Sequence, residues 1–334
     1  MEPHDAAAEA HPNIALVKYW GNRDDSLRIP SNGSISMTLA GLRTVTRVRF
    51  DPNLARDRLK IDRRAAGPAE LARATSFLDH IRIRAGLEWP AEIESVSNFP
   101  AGSGLASSAS AFAALAVAGS AAAGLELSDQ ELSRLARRGS GSACRSLFGG
   151  FVEWLPGTGD DDSYAEPISG PDHWALVDLV AVVTTAAKDV GSSDGHRLAP
   201  TSPIQAARVA DTSRRLEACR QAIRARDFAR LAEVVEEDSH LMHAVMQTSS
   251  PPLFYWSADS VRVMHQVRTW RQAGLATCYT LDAGANVHCL AGPDSADEVA
   301  RRLENLPGVQ QVLRAGVGDG PRLLDHAEAA SALL

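Results

Sequence analysis

The stretch Asn98-Phe-Pro-Ala-Gly-Ser-Gly-Leu-Ala-Ser-Ser-Ala109 sets two glycines, Gly102 and Gly104, and two adjacent serines, Ser107 and Ser108, ahead of a run of mostly small residues that continues to Ala123. Asn98 and Pro100 resist regular structure, whereas the alanines that follow have the highest helix propensity. The pattern predicts a flexible loop feeding a helix N-terminus. Unpaired N–H groups and a partial charge of about +0.5 gather at such a terminus, which makes it ready for phosphate. Glycines let the backbone approach an anion, and serine hydroxyls donate to phosphate or ligate Mg²⁺. A Gly/Ser loop that only caps a buried helix fits the same residues. The loop is not a Walker loop, because no Gly-Lys-Ser/Thr closes it, and it lacks the Gly-x-Gly-x-x-Gly of a dinucleotide site.

Three further segments carry residues that an ordinary core does not need. Ile14 to Val17 reads as a short buried strand, and Lys18 follows it directly among Val17, Tyr19 and Trp20. A lysine there either snorkels from the strand end or is buried against an anion. Gly139-Ser-Gly-Ser-Ala-Cys-Arg-Ser-Leu-Phe-Gly-Gly150 brackets one arginine, Arg145, between two Gly/Ser turns. Its guanidinium is either a surface group on a flexible loop or a fork for a carboxylate or phosphate. Asp282 sits between an apolar strand and the turn Ala283-Gly-Ala-Asn286. It either caps that turn or projects into a cleft as a base.

Between these segments, residues 34–39, 44–50, 92–96, 151–155, 174–185, 277–282, 287–290 and 309–317 read as strands. Gly41 reads as a hairpin between the first two. Helical spacing marks 70–85, with Arg73 off the apolar stripe, and also 203–225, 227–243, a segment within 253–273, and 296–305. Ser128-Asp-Gln-Glu131 is a capping box that starts another helix. Residues 51–67 read as a polar surface link, 187–196 as a polar loop containing Lys188, Ser192 and Ser193, and the segment after 317 as a polar tail. The order has no steady βαβ beat, so the fold class is α+β.

The chain has 334 residues, enough for two domains, with 45% hydrophobic and 22% charged residues and a net charge of -7. That balance argues against a nucleic-acid surface. Four scattered cysteines, Cys144, Cys219, Cys278 and Cys289, signal neither a zinc site nor a disulfide framework and read as reduced cytosolic thiols. No apolar run reaches the roughly 18 residues that span a bilayer. Residues 1–10, acidic and alanine-rich, read as a frayed tail. The expectation is a cytoplasmic protein with no membrane partner.

Taken together, Pro100-x-x-x-Gly-Leu-x-Ser-Ser-Ala109 resembles the phosphate loop of the GHMP kinase superfamily, and Asn98-Phe99 narrows the likeness to its mevalonate diphosphate decarboxylase branch. Ala15-Leu-Val-Lys-Tyr-Trp-Gly21, Ser34-Ile-Ser-x-Thr38, the Arg145 segment and Asp282-Ala-Gly-x-Asn286 resemble signatures of the same family in the same order. Lys188-Asp-Val and Pro251-Pro-x-Phe/Tyr add weaker matches. The resemblance implies a GHMP-kinase-like two-domain fold, with residues 11–180 and 181–334 flanking an active-site cleft, and a homodimer. It implies ATP and Mg²⁺ as cofactors and a phosphorylated mevalonate as substrate. The 3-hydroxyl would be phosphorylated, and phosphate and CO₂ would then leave together.

By the same resemblance, Asp282, Lys18, Arg145 and Ser108 are catalytic. Asn13, Tyr19, Asn22, Arg73 and Ser142 join Arg145 around the substrate. Asn98, Gly102, Gly104, Ser107, Ser108 and Lys188 hold ATP, with Ser107 and Ser108 toward the metal. Rival readings are a superfamily kinase that does not decarboxylate, against which Arg145 and Asp282 together argue, and a non-catalytic sensor, which would have lost the base or the phosphate loop. Two departures stand out. The family's Asp-Ala-Gly-Pro-Asn has Ala285 for proline here, a change of about 0.4–1 kcal/mol through the unfolded chain. The family's Lys-Tyr-Trp-Gly-Lys ends in Asn22, losing a charge-assisted contact of about 1.5–3 kcal/mol. A diphosphate would suffer more from that loss than a monophosphate, so Asn22 leads to the expectation of mevalonate 5-phosphate giving isopentenyl phosphate, with the 5-diphosphate giving isopentenyl diphosphate as the alternative.

Overall fold

The structure is a computed structural model that describes residues 4–99, 107–186 and 188–334. Gly102 and Gly104 lie outside the described residues. A six-stranded sheet begins the molecule. His4–Ala10 lies between Arg322–Leu324 and Thr44–Phe50, followed by Ala91–Ser97 and the small hairpin of Arg58–Ile61 and Arg64–Ala65. Ser107–Ala122 packs across this sheet. Its alanines are buried on nearly every side, as expected of a helix that is apolar all round. The approach is close enough that a Cβ on Gly119 would lie 2.7 Å from Ile81 Cδ1. Phe77, Leu78 and Ile81, from the neighbouring helix Pro68–Ala85, complete that core with Val48, Phe50 and Ile93.

A four-stranded sheet of Ala165–Ser169, Phe151–Trp154, Ser34–Thr38 and Asn13–Val17 comes next. Its core is shared with Leu216, Ile223, Leu231 and Val235 of the helices Thr212–Ala225 and Phe228–Gln247. The third sheet runs Thr277–Thr280, Val287–Ala291, Val177–Val182 and Gln311–Gly316. Alternate residues of Val177–Val182 enter different cores: Val180 and Val182 face the core shared with Phe228–Gln247, whereas Leu179 and Ala181 face Val263, Val267 and Val299 of the helices Ala258–Gln272 and Pro293–Glu304. This is period-two alternation buried on both faces. The mixed helix and sheet architecture matches the α+β, two-domain expectation, and the cleft described below lies where these layers converge.

Several local expectations give way to long-range packing. Residues 4–10 are not a frayed tail but a strand paired on both sides. Alanine has weak strand preference, yet the small side chains of Ala8 and Ala10 fit beneath Ser107–Ala122, and sheet packing outweighs propensity. Gly41 does not make a hairpin, because Ser34–Thr38 and Thr44–Phe50 belong to different sheets. The segment after 317 supplies Arg322–Leu324 and the helix His326–Leu333, which return to the first sheet. The expected boundary at residue 180 falls inside Val177–Val182, whose partners are Val287–Ala291 and Gln311–Gly316. All four cysteines are free and buried. Among the described residues, no helix is long and apolar enough to cross a membrane.

Candidate active site

Lys18 is fixed by its backbone before its side chain is considered. Its N–H donates to Asp238 Oδ2 at 2.6 Å, and its carbonyl accepts from Asn32 Nδ2 at 2.9 Å and Arg208 Nη2 at 2.8 Å. Asp238 is fully buried and paired with Arg215 Nε at 2.7 Å. A buried ionic network carried by Gln205–Ala210, Thr212–Ala225 and Phe228–Gln247 therefore sets where the strand Asn13–Val17 ends. It escaped sequence reading, although charged residues on the apolar faces of amphipathic helices were its signal.

The Lys18 side chain, 1% exposed, places Nζ 2.6 Å from Asp282 Oδ1. The turn after Thr277–Thr280 is closed by backbone, with Gly284 N–H donating to the Asp282 carbonyl at 2.8 Å. The Asp282 carboxylate is thus not spent on the turn. Burial would raise its pKa. The charge of Lys18, with His288, the Lys18 hydrogen bond and Arg145, outweighs burial and holds it below the usual carboxylate range.

Arg145 is 2% exposed, in the 3₁₀ helix Gly141–Leu147 rather than on a surface loop. Its Nε and Nη2 donate to Asn13 Oδ1 at 3.3 and 3.1 Å, and its Nη1 donates to Ser34 Oγ at 2.5 Å. Asn13 is oriented in turn by donating to Ser146 Oγ and the Ser142 carbonyl. Among the described residues no carboxylate pairs with this guanidinium. Burial pulls its pKa down, and an anionic ligand would reverse that penalty.

These groups share one cleft of about 300 Å³. Asn13, Lys18, Tyr19, Arg73, Ser107, Ser108, Ser142, Arg145, Lys188 and Asp282 all line it. Ser107 opens the helix Ser107–Ala122, and Ser108 Oγ lies 3.1 Å from Ser140 Oγ. Lys188 Nζ donates to Ser192 Oγ and the Ala283 carbonyl, and burial lowers its pKa while Asp282 raises it. Two expected residues stand elsewhere. The Asn98 side chain is occupied by Arg43 N–H and the Gly41 carbonyl, bracing the turn before Thr44–Phe50. Asn22 accepts from Tyr19 Oη and donates to Asp25 Oδ1, outside the cleft lining.

The cleft also holds residues that sequence reading did not assign: Arg28, Trp20, His196, Ser192 and Ser193. The region expected as a polar loop carries the helix Ser192–Leu198. His196 from that helix stacks on Tyr19 at 4.1 Å and abuts Trp20 at 4.5 Å. Gly21 N–H donates to its Nδ1 at 2.9 Å, so the ring is neutral with its proton on Nε2. A Cβ on Gly195 would meet Trp20 at 2.5 Å, so the glycine is what lets this helix close on the wall.

Burial, followed by Arg28, Arg208 and Lys188, drives His196 to about 3. Burial and Lys18 take His243, 1% exposed, also to about 3. Both are depressed below the unfolded value of about 6.5, so unfolded chains bind protons that folded chains refuse. Stability is full above about pH 6.5 and declines as pH falls toward 3, by about 2 kcal/mol per histidine at pH 5. Urea melts at pH 7 and 5 check this: His243→Phe should shrink the difference, and an unchanged difference would remove His243 from the account.

The fold and its cation-lined cleft define a class, an enzyme of the GHMP kinase superfamily. Residues 10–165 match the family described as "Diphosphomevalonate decarboxylase-like N-terminal domain", and residues 178–314 match "Mevalonate 5-diphosphate decarboxylase C-terminal domain". The chain belongs to the diphosphomevalonate decarboxylase family. It is 35% identical to the diphosphomevalonate decarboxylase of Candida albicans, covering 96% of this chain and 98% of that one. The solved mevalonate diphosphate decarboxylase of Staphylococcus aureus superposes with a TM-score of 0.92 at 39% identity, covering 97% and 99% of the two chains. A structure described as MDDEF in complex with MVAPP, AMPPCP and magnesium superposes equally well, at 0.92 and 37% identity, covering 97% and 100%.

Proposed function

We propose that this chain carries out the ATP-dependent decarboxylation of mevalonate 5-diphosphate, giving isopentenyl diphosphate, ADP, phosphate and CO₂. The observation that carries the reading is the Lys18–Asp282 pair at 2.6 Å in a cleft shared with the buried guanidinium of Arg145 and the serines at the start of Ser107–Ala122. The expectation of a monophosphate substrate is withdrawn. It rested on Asn22 alone, whereas the relatives are diphosphomevalonate decarboxylases and the solved complex holds MVAPP.

In this reading Asp282 accepts the proton of the 3-hydroxyl as its oxygen attacks the γ-phosphorus of ATP, and ADP departs. Lys18 keeps that carboxylate ionised and lies beside the charge that spreads over the transferring group. Lys188 and the helix N-terminus at Ser107 and Ser108 hold the nucleotide phosphates. Arg145, set by Asn13 and Ser34, holds the substrate carboxylate. When the C3–O bond breaks, the electrons of the C–CO₂ bond form the alkene, and phosphate and CO₂ leave.

Magnesium fits the hydroxyl-rich lining of this cleft, with Ser107, Ser108, Ser140 and Ser142, as an ion held mainly by phosphate oxygens and water. The Ser107 and Ser108 hydroxyls would complete its shell, and it would supply neutralisation of phosphate charge.

Incubation with ATP, Mg²⁺ and each phosphorylated mevalonate tests the reading. Equimolar ADP and CO₂ with isopentenyl diphosphate, identified by mass, is expected. ADP without CO₂, or turnover of the monophosphate alone, overturns it.

A further inference from the structure

The cation missing at position 22 has a substitute in the fold. The short hairpin formed by Asn22–Asp24 and Ile29–Pro30 turns the chain back toward the cleft, and Arg28, in that hairpin, lines it. Arg28 takes φ 51°, a left-handed backbone that a non-glycine residue adopts at a cost of about 1 kcal/mol or more and that concentrates at functional sites. Its Nε donates to the carbonyl of Arg138 at 3.0 Å. Arg73, from the helix Pro68–Ala85, donates through Nη2 to the very next carbonyl, that of Gly139, at 2.8 Å, with its guanidinium 4.5 Å from the ring of Phe112.

Two guanidinium groups are therefore moored to consecutive carbonyls at the C-terminal, negative end of Asp129–Gly139. Among the described residues neither is paired with a carboxylate. They oppose each other's charge: burial first, and then Arg28, pulls Arg73 down to about 10. Two like charges gathered in one cleft, neither paired with a carboxylate among the described residues, call for a polyanion. Asn22 cannot help, since both ends of its amide are engaged by Tyr19 and Asp25.

We propose that Arg28 is a specificity-determining residue that binds the 5-diphosphate of the substrate alongside Arg73, restoring the positive charge that Asn22 removes. This rests on the diphosphate reading given above. It makes diphosphate recognition in this chain depend on a residue six positions downstream of the expected one, carried at the end of the hairpin turn.

Steady-state kinetics of Arg28→Gln against mevalonate 5-diphosphate and mevalonate 5-phosphate test it. The KM for the diphosphate should rise roughly 10- to 100-fold, as for loss of a hydrogen bond to a charged group, while kcat and the KM for the monophosphate shift less than about threefold. Adding Asn22→Lys to Arg28→Gln should recover most of the diphosphate preference. An unchanged KM for the diphosphate, an equal rise for both substrates, or a double variant no better than Arg28→Gln overturns the assignment.

Calorimetric titration with inorganic pyrophosphate separates this from the reaction itself. If the parent protein decarboxylates neither mevalonate, the functional reading fails on its own. Weaker pyrophosphate binding by Arg28→Gln would still support the anion site, and equal binding by parent and variant would overturn it.

Discussion

Replacing Asp282 with asparagine should lower kcat by about 10²–10⁴-fold, the range for loss of a positioned general base, while mevalonate 5-diphosphate still binds. The amide keeps the shape of the carboxylate but neither accepts the hydroxyl proton nor carries charge. A tertiary alcohol is a weak nucleophile, so the loss falls on the step that makes the C3–O–P bond, and CO₂ release should fall in proportion to ADP formation. The substitution also leaves Lys18 buried without its carboxylate, so melting temperature and substrate affinity are measured on the same preparation to separate lost chemistry from lost fold. Turnover within tenfold of the parent, from a folded variant, would remove Asp282 from the chemistry.

The residues that converge in the cleft were legible because their chemistry is costly in an ordinary core. A lysine after a buried strand, an arginine between Gly/Ser turns and an aspartate before a glycine turn each leave a charge that needs an explanation. What could not be read was the context that decides between explanations. Asp282 as a turn cap and Asp282 as a cleft base have the same local sequence. Only the 264-residue span to Lys18 separates them, and no periodicity reports on that distance. Strand positions were legible by alternation, whereas pairing was not: Ser34–Thr38 and Thr44–Phe50 look like a hairpin, but each finds better partners in its own sheet.

Arg28 and His196 were missed for opposite reasons. Arg28 follows the charged run Asn22-Arg-Asp-Asp25 with no apolar periodicity to mark it as inward-facing, and only the hairpin of Asn22–Asp24 and Ile29–Pro30 brings it to the cleft. His196 stands in a segment that reads as polar loop, yet it is buried against Tyr19 and Trp20. The buried Arg208–Asp238–Arg215 network had a signal, since charged residues on an apolar helical face need partners, but the helical pattern does not say that their common purpose is to hold the backbone of Lys18.

That purpose matters because Lys18 controls the protonation of the base. Lys18→Met keeps the length of the side chain and removes the charge that outweighs burial at Asp282. In the parent, a depressed carboxyl pKa keeps the base ionised below the ordinary value of about 3.9, so activity is lost only as pH falls past that depressed value. In the variant burial prevails, the carboxyl pKa rises, and the acid limb of kcat/KM moves upward in pH. For stability the sign reverses. In the parent the depressed carboxyl pKa contributes stability that is present above the unfolded pKa and lost as pH falls through the folded one, whereas in the variant a raised pKa makes ionisation of the buried carboxyl destabilising, so stability falls as pH rises through the unfolded pKa. At a pH well above both values, where Asp282 is ionised in either protein, kcat should still be down about 10²–10³-fold, the usual effect of deleting one group that stabilises developing charge. The double variant Lys18→Met/Asp282→Asn should be little worse than the poorer single one, because two groups acting as a unit are not additive. An acid limb that stays where it is in the parent would mean that Lys18 does not hold the Asp282 carboxylate in its ionised form.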